Sequence, residues 1–328
     1  MQATPLIEWP EPIFHLVDFI ALFLTAGAVG FRYSSLRGRV GNSAQHTGAT
    51  AGAPHPHDGL YEMAARRAAA LGLIGALIAL VQIIRALPSF AERARTTTGG
   101  LLTSNLDAQV FLACGVLAVL GFGLATSRLP GGWPLAAGGV VVGTLRGVLS
   151  GRWARLVNPV HELAAGFWIG TLLVMMVVGL ALVLRRETPT EARGPMAADM
   201  VNRFSPLALV SGGLVVIFGV ITAWRHLNPF SSLWTTPYGW TLIAKLAVVA
   251  VVFALGAWNW KRVRPTLGGE TGAIAVQRSA TRELIAAGVV LLITSILVAL
   301  PSPRRPGAPG GPGGPPPAAA VPAPTAAR

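Results

Sequence analysis

The sequence predicts an all-α fold, a polytopic membrane helical bundle of about eight transmembrane helices with both termini on the outer side. Of the 328 residues, 52% are hydrophobic and 12% are charged, and that charged share is about half of the share in soluble domains. Several apolar runs reach the roughly 20 residues that cross a bilayer as a helix. The formal net charge of +13 is spread between these runs, as in membrane loops. The composition therefore indicates the lipid bilayer as a partner and argues against nucleic acid.

The predicted helices follow the apolar runs in order, at about 13–31, 66–86, 107–127, 132–150, 159–184, 206–226, 240–259 and 282–300. The fourth is short, rich in glycine and carries Arg146 near its end. The sixth has a start signal, with Ser205 as N-cap and Pro206 at the first helical position. The seventh is bounded by Trp240 and Trp258, which lie about 27 Å apart along a helix, close to the thickness of the hydrocarbon layer.

The distribution of basic residues sets the orientation of the helices. With eight spans and the N-terminus outside, 15 Lys and Arg residues fall in inner loops and 10 in outer segments, while Lys245 lies inside a span. Without the fourth span the counts become 13 and 12, so eight spans fit the positive-inside rule better. We therefore expect both termini on the outer side of the membrane.

The chain is expected to contain two membrane regions and a tail. Residues 1–150 form an N-terminal four-span region, and residues 151–303 form a second four-span region. The loop at 40–60, which holds three histidines, should be flexible. Residues 304–328 are rich in Pro, Gly and Ala, so they cannot bury a core and should form a disordered tail.

Three of the six histidines are predicted at one level of the membrane. His161 begins the fifth span beside Glu162, His226 ends the sixth, and His15 begins the first, with Asp18 one turn further on the same face. Imidazole binds copper, zinc, iron and nickel, and a carboxylate can offset the charge of the ion. These residues therefore form a candidate metal site, although histidines also suit membrane interfaces through their amphipathic character alone.

Further candidates extend from that site into the membrane. Met175 lies 14 residues after His161, nearly on the same helical face, and Met176 follows it. Thioethers select Cu(I), yet methionine also fills gaps in ordinary apolar packing. A lysine inside a span, such as Lys245, marks a functional site or extends to the headgroups. A transport path is therefore expected to involve Met175, Met176, Lys245 and Asp18.

Common catalytic motifs are absent from the sequence. Neither Lys245 nor Lys261 follows a glycine, so there is no Walker-A loop, and neither HExxH nor GxSxG occurs. The single cysteine, Cys114, excludes an intramolecular disulfide and a cysteine-rich metal site. We therefore expect the protein to be neither an ATP-driven pump nor an enzyme.

Five segments, in the right order, resemble the copper resistance protein D family. They are HELAAGFWIG at 161–170, RFSPLALVSGGLVVIFGVITAW at 203–224, LWTTPYGWTLIAK at 233–245, LGAWNWKRVRP at 255–265 and RELIAAGVVLLITSILVALPSP at 282–303. The resemblance covers about residues 153–303. His161 and Trp168 correspond to the His and Trp of the family's fifth-span motif. The family's T-x-Y-G-x-x-L-x-x-K pattern corresponds to Tyr238, Gly239 and Lys245.

The resemblance implies a multi-pass protein of the bacterial inner membrane that handles copper, which would make both termini periplasmic. Such proteins are thought to move copper ions from the periplasm inward, often alongside a small periplasmic copper carrier protein. The expected copper-binding residues are His161, His226, His15 and Glu162. A Met-rich periplasmic loop, which is common in copper proteins, is missing from the sequence.

Three functional hypotheses follow. The first is copper uptake or transport across the membrane, which contributes to copper homeostasis or resistance. The second is a membrane redox protein in which His161 and His226 hold a b-type haem, for which axial histidines are standard. The third is a scaffold that assembles copper enzymes without transporting the metal. The absorption spectrum separates the first two hypotheses, because a haem gives a Soret band.

Overall fold

The computed structural model describes residues 9–40, 58–149, 151, 156–185, 188–227, 230–258, 261 and 270–300, and contains helices but no strand in these ranges. Residues 41–57 of the loop expected at 40–60 and the expected tail at 304–328 lie outside the described residues, while residues 58–60 belong to a helix rather than to the loop. The helices are α1 (Glu11–Tyr33), α2 (Asp58–Arg93), α3 (Thr98–Ser104), α4 (Leu106–Thr126), α5 (Gly132–Leu145), α6 (Val157–Val183), α7 (Thr190–His226), α8 (Ser232–Thr235), α9 (Pro237–Trp258) and α10 (Glu270–Ala299).

Within the described ranges, seven helices are long and apolar enough to span a membrane, which confirms the predicted polytopic helical bundle. α5 stands at the place of the fourth predicted span. It has 14 residues and measures about 21 Å, and the 3₁₀ turn Arg146–Val148 extends it. α5 runs back along α4, because Gly121 lies against Ala136 and Arg146 comes within 3.8 Å of Asp107 at the start of α4. The fourth segment therefore reverses the chain direction, but α5 is not among the seven helices long enough to span, and an eighth crossing stays a prediction.

The sixth predicted span begins earlier than its sequence signal indicates. Ser205 and Pro206 predict a helix start, but α7 begins at Thr190 and continues through both Pro195 and Pro206. The Ser205 hydroxyl instead donates to the carbonyl oxygen of Val201, four residues back, at 2.8 Å. Proline removes an N–H group from the helix interior, and side-chain hydroxyls help membrane helices to accommodate it. The prediction of Ser205 as the N-cap was therefore wrong.

The helices of residues 1–150, the predicted first region, meet those of residues 151–303, the predicted second region, where α1 crosses α6. Gly27 of α1 lies against the backbone of Gly170 of α6, and a Cβ atom at either residue would collide with the other helix. α1 packs against α2 and α5 of the first region and against α6 and α10 of the second. Small residues allow such close approach, which drives helix association where lipid supplies no hydrophobic force. This crossing places α1 and α6 at the centre of the bundle.

α6 is not a regular α-helix, because π-helical turns interrupt it at Gly166–Gly170 and Met175–Leu180. A π-turn accommodates about one extra residue and so rotates the helix beyond it by roughly 100°. The expectation that Met175 shares a face with His161 assumed a regular α-helix and does not hold. Met175 instead packs in the core, where its sulfur accepts a hydrogen bond from the Ser35 hydroxyl at 3.9 Å.

The bundle has two polar ends, and we name each after one of its residues. The His161 end holds His161, Asp18 and Arg146. The Asp199 end holds Asp199, whose carboxylate accepts hydrogen bonds from Arg203 Nε at 2.8 Å and from Arg39 Nε at 3.1 Å. The hydrogen bond to Asp199 raises the pKa of Arg39 above its usual value. These bonds tie the segment after α1 to α7.

Candidate functional site

His161 makes one hydrogen bond that determines how its ring can act. Its Nδ1 atom lies 2.9 Å from the backbone carbonyl oxygen of Val215 in α7. A carbonyl oxygen can only accept, so Nδ1 carries the proton and donates it. In the neutral ring, Nε2 then keeps its lone pair. This is the arrangement in which histidine ligands bind metal ions, with the other ring nitrogen hydrogen-bonded to a carbonyl or carboxylate group.

The approach of His161 to α7 depends on a glycine. A Cβ atom at Gly219 would lie 3.0 Å from His161 Cε1 and 3.4 Å from Nδ1, closer than side chains normally pack. One turn before His161 in α6, Asn158 Oδ1 accepts a hydrogen bond from Thr222 Oγ1 at 2.8 Å. Because two polar contacts join the start of α6 to the end of α7, the imidazole is held in place between the helices.

Charged groups from three other parts of the chain lie close to Glu162 on this pair of helices. Glu162 interacts electrostatically with Lys245 of α9, with Asp18 of α1 and with Arg146 after α5. Lys245 also interacts with His161. The structure therefore places four of the predicted site residues, His161, Glu162, Asp18 and Lys245, within electrostatic range of one another or of a shared neighbour.

A cavity of about 410 Å³ opens between α1, α2, α4, α5 and α6 at the His161 end. Its polar lining includes Asp18, Glu162, Gln82 and the two arginines Arg85 and Arg146, and the rest of its lining is mostly apolar. Gln82 donates a hydrogen bond to Asp18 Oδ1 at 3.0 Å. The two carboxylates thus share one cavity, as expected for residues that the sequence places at one membrane level.

The two arginines of the cavity are each stacked on an aromatic ring. The Arg85 guanidinium carbon lies 3.6 Å from the ring centre of Phe14, and that of Arg146 lies 3.7 Å from the ring centre of Phe111. Cation–π contacts of this kind hold a guanidinium group in position. The cavity therefore carries fixed positive groups as well as carboxylates.

The predicted set of three histidines is not seen together in the described structure. His15 lies on α1 and interacts electrostatically with Asp18, while the side chain of His226 lies outside the described residues. Among the described residues, no group of three or more His, Cys, Asp or Glu side chains is arranged to hold one metal ion. Met175 and Met176 are buried in a core cluster toward the Asp199 end, away from His161.

The T-x-Y-G pattern has a structural role in α9. Thr236 lies just before the helix, and its hydroxyl accepts a hydrogen bond from the Gly239 N–H at 3.0 Å. A Cβ atom at Gly239 would collide with the carbonyl oxygen of Leu233, so a larger residue does not fit there. Tyr238 is buried in the adjacent core. These residues therefore form a helix cap and a tight turn, while Lys245 of the same pattern reaches the charged groups around Glu162.

Sequence reasoning missed several residues of the site. Val215 and Gly219 lie on α7, and no local pattern links them to His161. Arg85 and Arg146 lie near the ends of predicted helices and were counted only among the basic residues of the outer side. The sequence contained a signal for Gln82, which is its spacing of three residues from Arg85 on one helix. In the structure, Arg85 Nε donates a hydrogen bond to Gln82 Oε1 at 3.1 Å.

The fold and this site define a multi-pass membrane protein with an imidazole and two carboxylates at one end of its bundle. Residues 198–297 match the family model described as copper resistance protein D, which confirms the resemblance to that family. The match covers most of α7 and extends through α8 and α9 into α10, and His161 precedes it.

A curated relative is the copper transport protein CutJ of Bacillus subtilis (strain 168). The two chains are 27% identical over 151 residues, which cover 46% of this chain and 26% of CutJ. The chain therefore spans about a quarter of the length of that relative. No solved structure matches the chain.

Proposed function

We propose that the protein transports copper across the bacterial inner membrane, taking it up at the His161 end and so contributing to copper homeostasis or resistance. The similarity to the copper resistance protein D family and to CutJ indicates copper as the substrate. The observation that carries the proposal is the hydrogen bond from His161 Nδ1 to Val215. Because this bond leaves Nε2 free to accept, the ring is prepared to bind a metal ion.

The carboxylates supply the charge that a copper ion needs on entry. Glu162 and Asp18 line the same cavity, where their carboxylates would offset the charge of a bound copper ion, while Arg85 and Arg146 line it as well. Lys245 interacts electrostatically with Glu162 when no ion is bound. A bound copper ion would also interact with the Glu162 carboxylate. Lys245 and the ion therefore compete for the same negative charge, and this competition favours onward release of the ion.

His15 and His226 remain the proposed further ligands. His15 lies one turn before Asp18 on α1 and interacts with it, so it shares the helical face of a residue that lines the cavity. His226 ends α7, two turns beyond Gly219. A small periplasmic copper carrier is the proposed donor, and the cavity at the His161 end is where it would deliver the ion.

Copper uptake by proteoliposomes tests this function. Vesicles that contain the protein should accumulate copper faster than protein-free vesicles, and His161→Ala should reduce the difference. Equal accumulation with and without the protein would exclude transport and favour the scaffold hypothesis. The same preparation should show no Soret band, and a haem spectrum would replace copper transport with the redox hypothesis.

A further inference from the structure

Four of the six methionines lie in one buried core at the Asp199 end of the bundle. Met175, Met176, Met196 and Met200 belong to the same cluster of packed side chains, and each is less than a tenth exposed. Met63 is exposed on α2, and Met1 lies outside the described residues. We call Met175, Met176, Met196 and Met200 the thioether cluster.

The thioether cluster joins two neighbouring helices. Met196 and Met200 lie one turn apart on one face of α7. The Met200 sulfur is 3.0 Å from the position that a Cβ atom at Gly179 would occupy. Gly179 belongs to the π-turn of α6 that begins with Met175 and Met176. The sulfur-bearing face of α7 therefore packs directly on the turn that carries the other two methionines.

Polar groups accompany these sulfurs in a core that is otherwise apolar. The Ser35 hydroxyl donates to the Met175 sulfur at 3.9 Å, which shows that a sulfur lone pair is directed toward a polar neighbour. Thr171, one turn before Met175, is fully buried, and its Oγ1 has no hydrogen-bond partner among the residues the structure describes. Buried side-chain hydroxyls without a hydrogen-bond partner are rare and call for an explanation.

The local backbone also departs from what packing alone requires. The π-turn Met175–Leu180 widens α6 at the thioether cluster, and such turns occur frequently at functional sites. Leucine fills nearly the same volume as methionine, so packing does not demand four sulfurs. Thioethers are soft, uncharged ligands that select Cu(I) over hard cations.

We propose that the thioether cluster binds a soft monovalent metal ion, Cu(I), at the Asp199 end of the bundle. The inference rests on the proposed copper function and gives the ion a second binding site on α6. That site begins about 21 Å along the helix from His161, over 14 residues. Ag(I) has similar ligand preferences and does not change oxidation state, so it serves as the probe.

X-ray absorption at the silver edge tests the site in the full-length protein. A Cys114→Ser background removes the single thiol, so sulfur neighbours then report thioethers. One equivalent of Ag(I) should show sulfur in its first shell. Met196→Leu with Met200→Leu should lower the affinity for Ag(I) by at least about tenfold, since even an indirect perturbation of a metal site has an effect of that size. Met63→Leu is the matched control and should leave the affinity unchanged.

If Ag(I) bound to the protein with an unsubstituted thioether cluster has only nitrogen and oxygen neighbours, the proposal is overturned, whatever the variants do. An inserted double variant that binds Ag(I) with wild-type affinity would also overturn it. If the double variant does not insert, the single Met196→Leu and Met200→Leu variants replace it. If the protein takes up copper but Ag(I) has no sulfur ligand, the thioether site is excluded and the proposed function is kept. If Ag(I) has sulfur ligands but the protein does not take up copper, the proposed function is excluded and the thioether site is kept.

Discussion

His161 donates a hydrogen bond from Nδ1 to the carbonyl oxygen of Val215, across the interface of α6 and α7. This bond assigns the proton to Nδ1 and the free lone pair to Nε2. Since Val215 contributes a backbone atom, its side chain can change without altering the bond. The backbone of α7 therefore determines which ring nitrogen can bind a metal ion.

Gly219→Ala should weaken copper binding without weakening α7. The new Cβ atom would press on His161 at 3.0 Å, so the ring must move and its affinity for copper should fall about tenfold or more. Alanine itself favours a helix by about 1 kcal/mol over glycine, so helix instability cannot explain a loss. Gly213→Ala, with open space around it in the same helix, is the control. Equal copper titration curves for the two variants would refute the packing argument.

Gly27→Ala should destabilise the bundle, because its Cβ atom would collide with the backbone of Gly170. A backbone atom cannot move aside as a flexible side chain can, and overpacking of this kind costs about 1–3 kcal/mol or more. Thermal unfolding in detergent should show a lower midpoint for this variant. Gly123→Ala on α4 meets open space and should unfold like the wild type. If both variants unfold at the wild-type temperature, the crossing of α1 and α6 is not as close as the structure shows.

Asp199→Asn should loosen the segment that follows α1. The variant weakens two charge-assisted hydrogen bonds, to Arg203 and Arg39, each of which is worth about 1.5–3 kcal/mol in typical cases. Hydrogen exchange of residues 34–40 should accelerate. Glu62→Gln is the control, because its 3.7 Å ion pair with Arg128 is more exposed and should contribute about 0–1 kcal/mol. Unchanged exchange in Asp199→Asn would show that the segment is held by other contacts.

Cysteine labelling should determine whether α5 crosses the membrane. In a Cys114→Ser background, cysteines at Asn105 and Leu149 should react with a membrane-impermeant reagent from the periplasmic side. A cysteine at Ser127, in the turn between α4 and α5, should react only from the cytoplasmic side. Labelling of Leu149 from the same side as Ser127 would mean that α5 does not cross, and the positive-inside count would then assign the wrong orientation to the second region.

The helical bundle could be predicted because length and apolar composition alone determine which segments can span a bilayer. The predicted runs and the long helices coincide in their centres, while their ends differ. α7 extends back to Thr190 since Pro206 is tolerated inside it. α5 is shorter than the predicted span at 132–150, since its α-helix ends at Leu145 and the chain continues as a 3₁₀ turn.

The candidate site could be predicted in part. Asp18 and Glu162 were placed at one level by counting along their helices, and they share a cavity. The role of Val215 could not be predicted, because it depends on how α6 and α7 pack and involves a backbone atom. The face of Met175 was predicted incorrectly because the π-turn Gly166–Gly170 gives no signal in a hydrophobic pattern.

Copper binding by His161→Asn tests the central claim most directly. The asparagine amide can still donate a hydrogen bond to the Val215 carbonyl, so the packing of α6 on α7 is kept while the Nε2 ligand is removed. We predict that copper affinity and copper uptake fall at least about tenfold, with the amount of inserted protein and its thermal unfolding unchanged. If His161→Asn binds and transports copper like the wild type, His161 is an interfacial packing residue and copper enters the protein elsewhere.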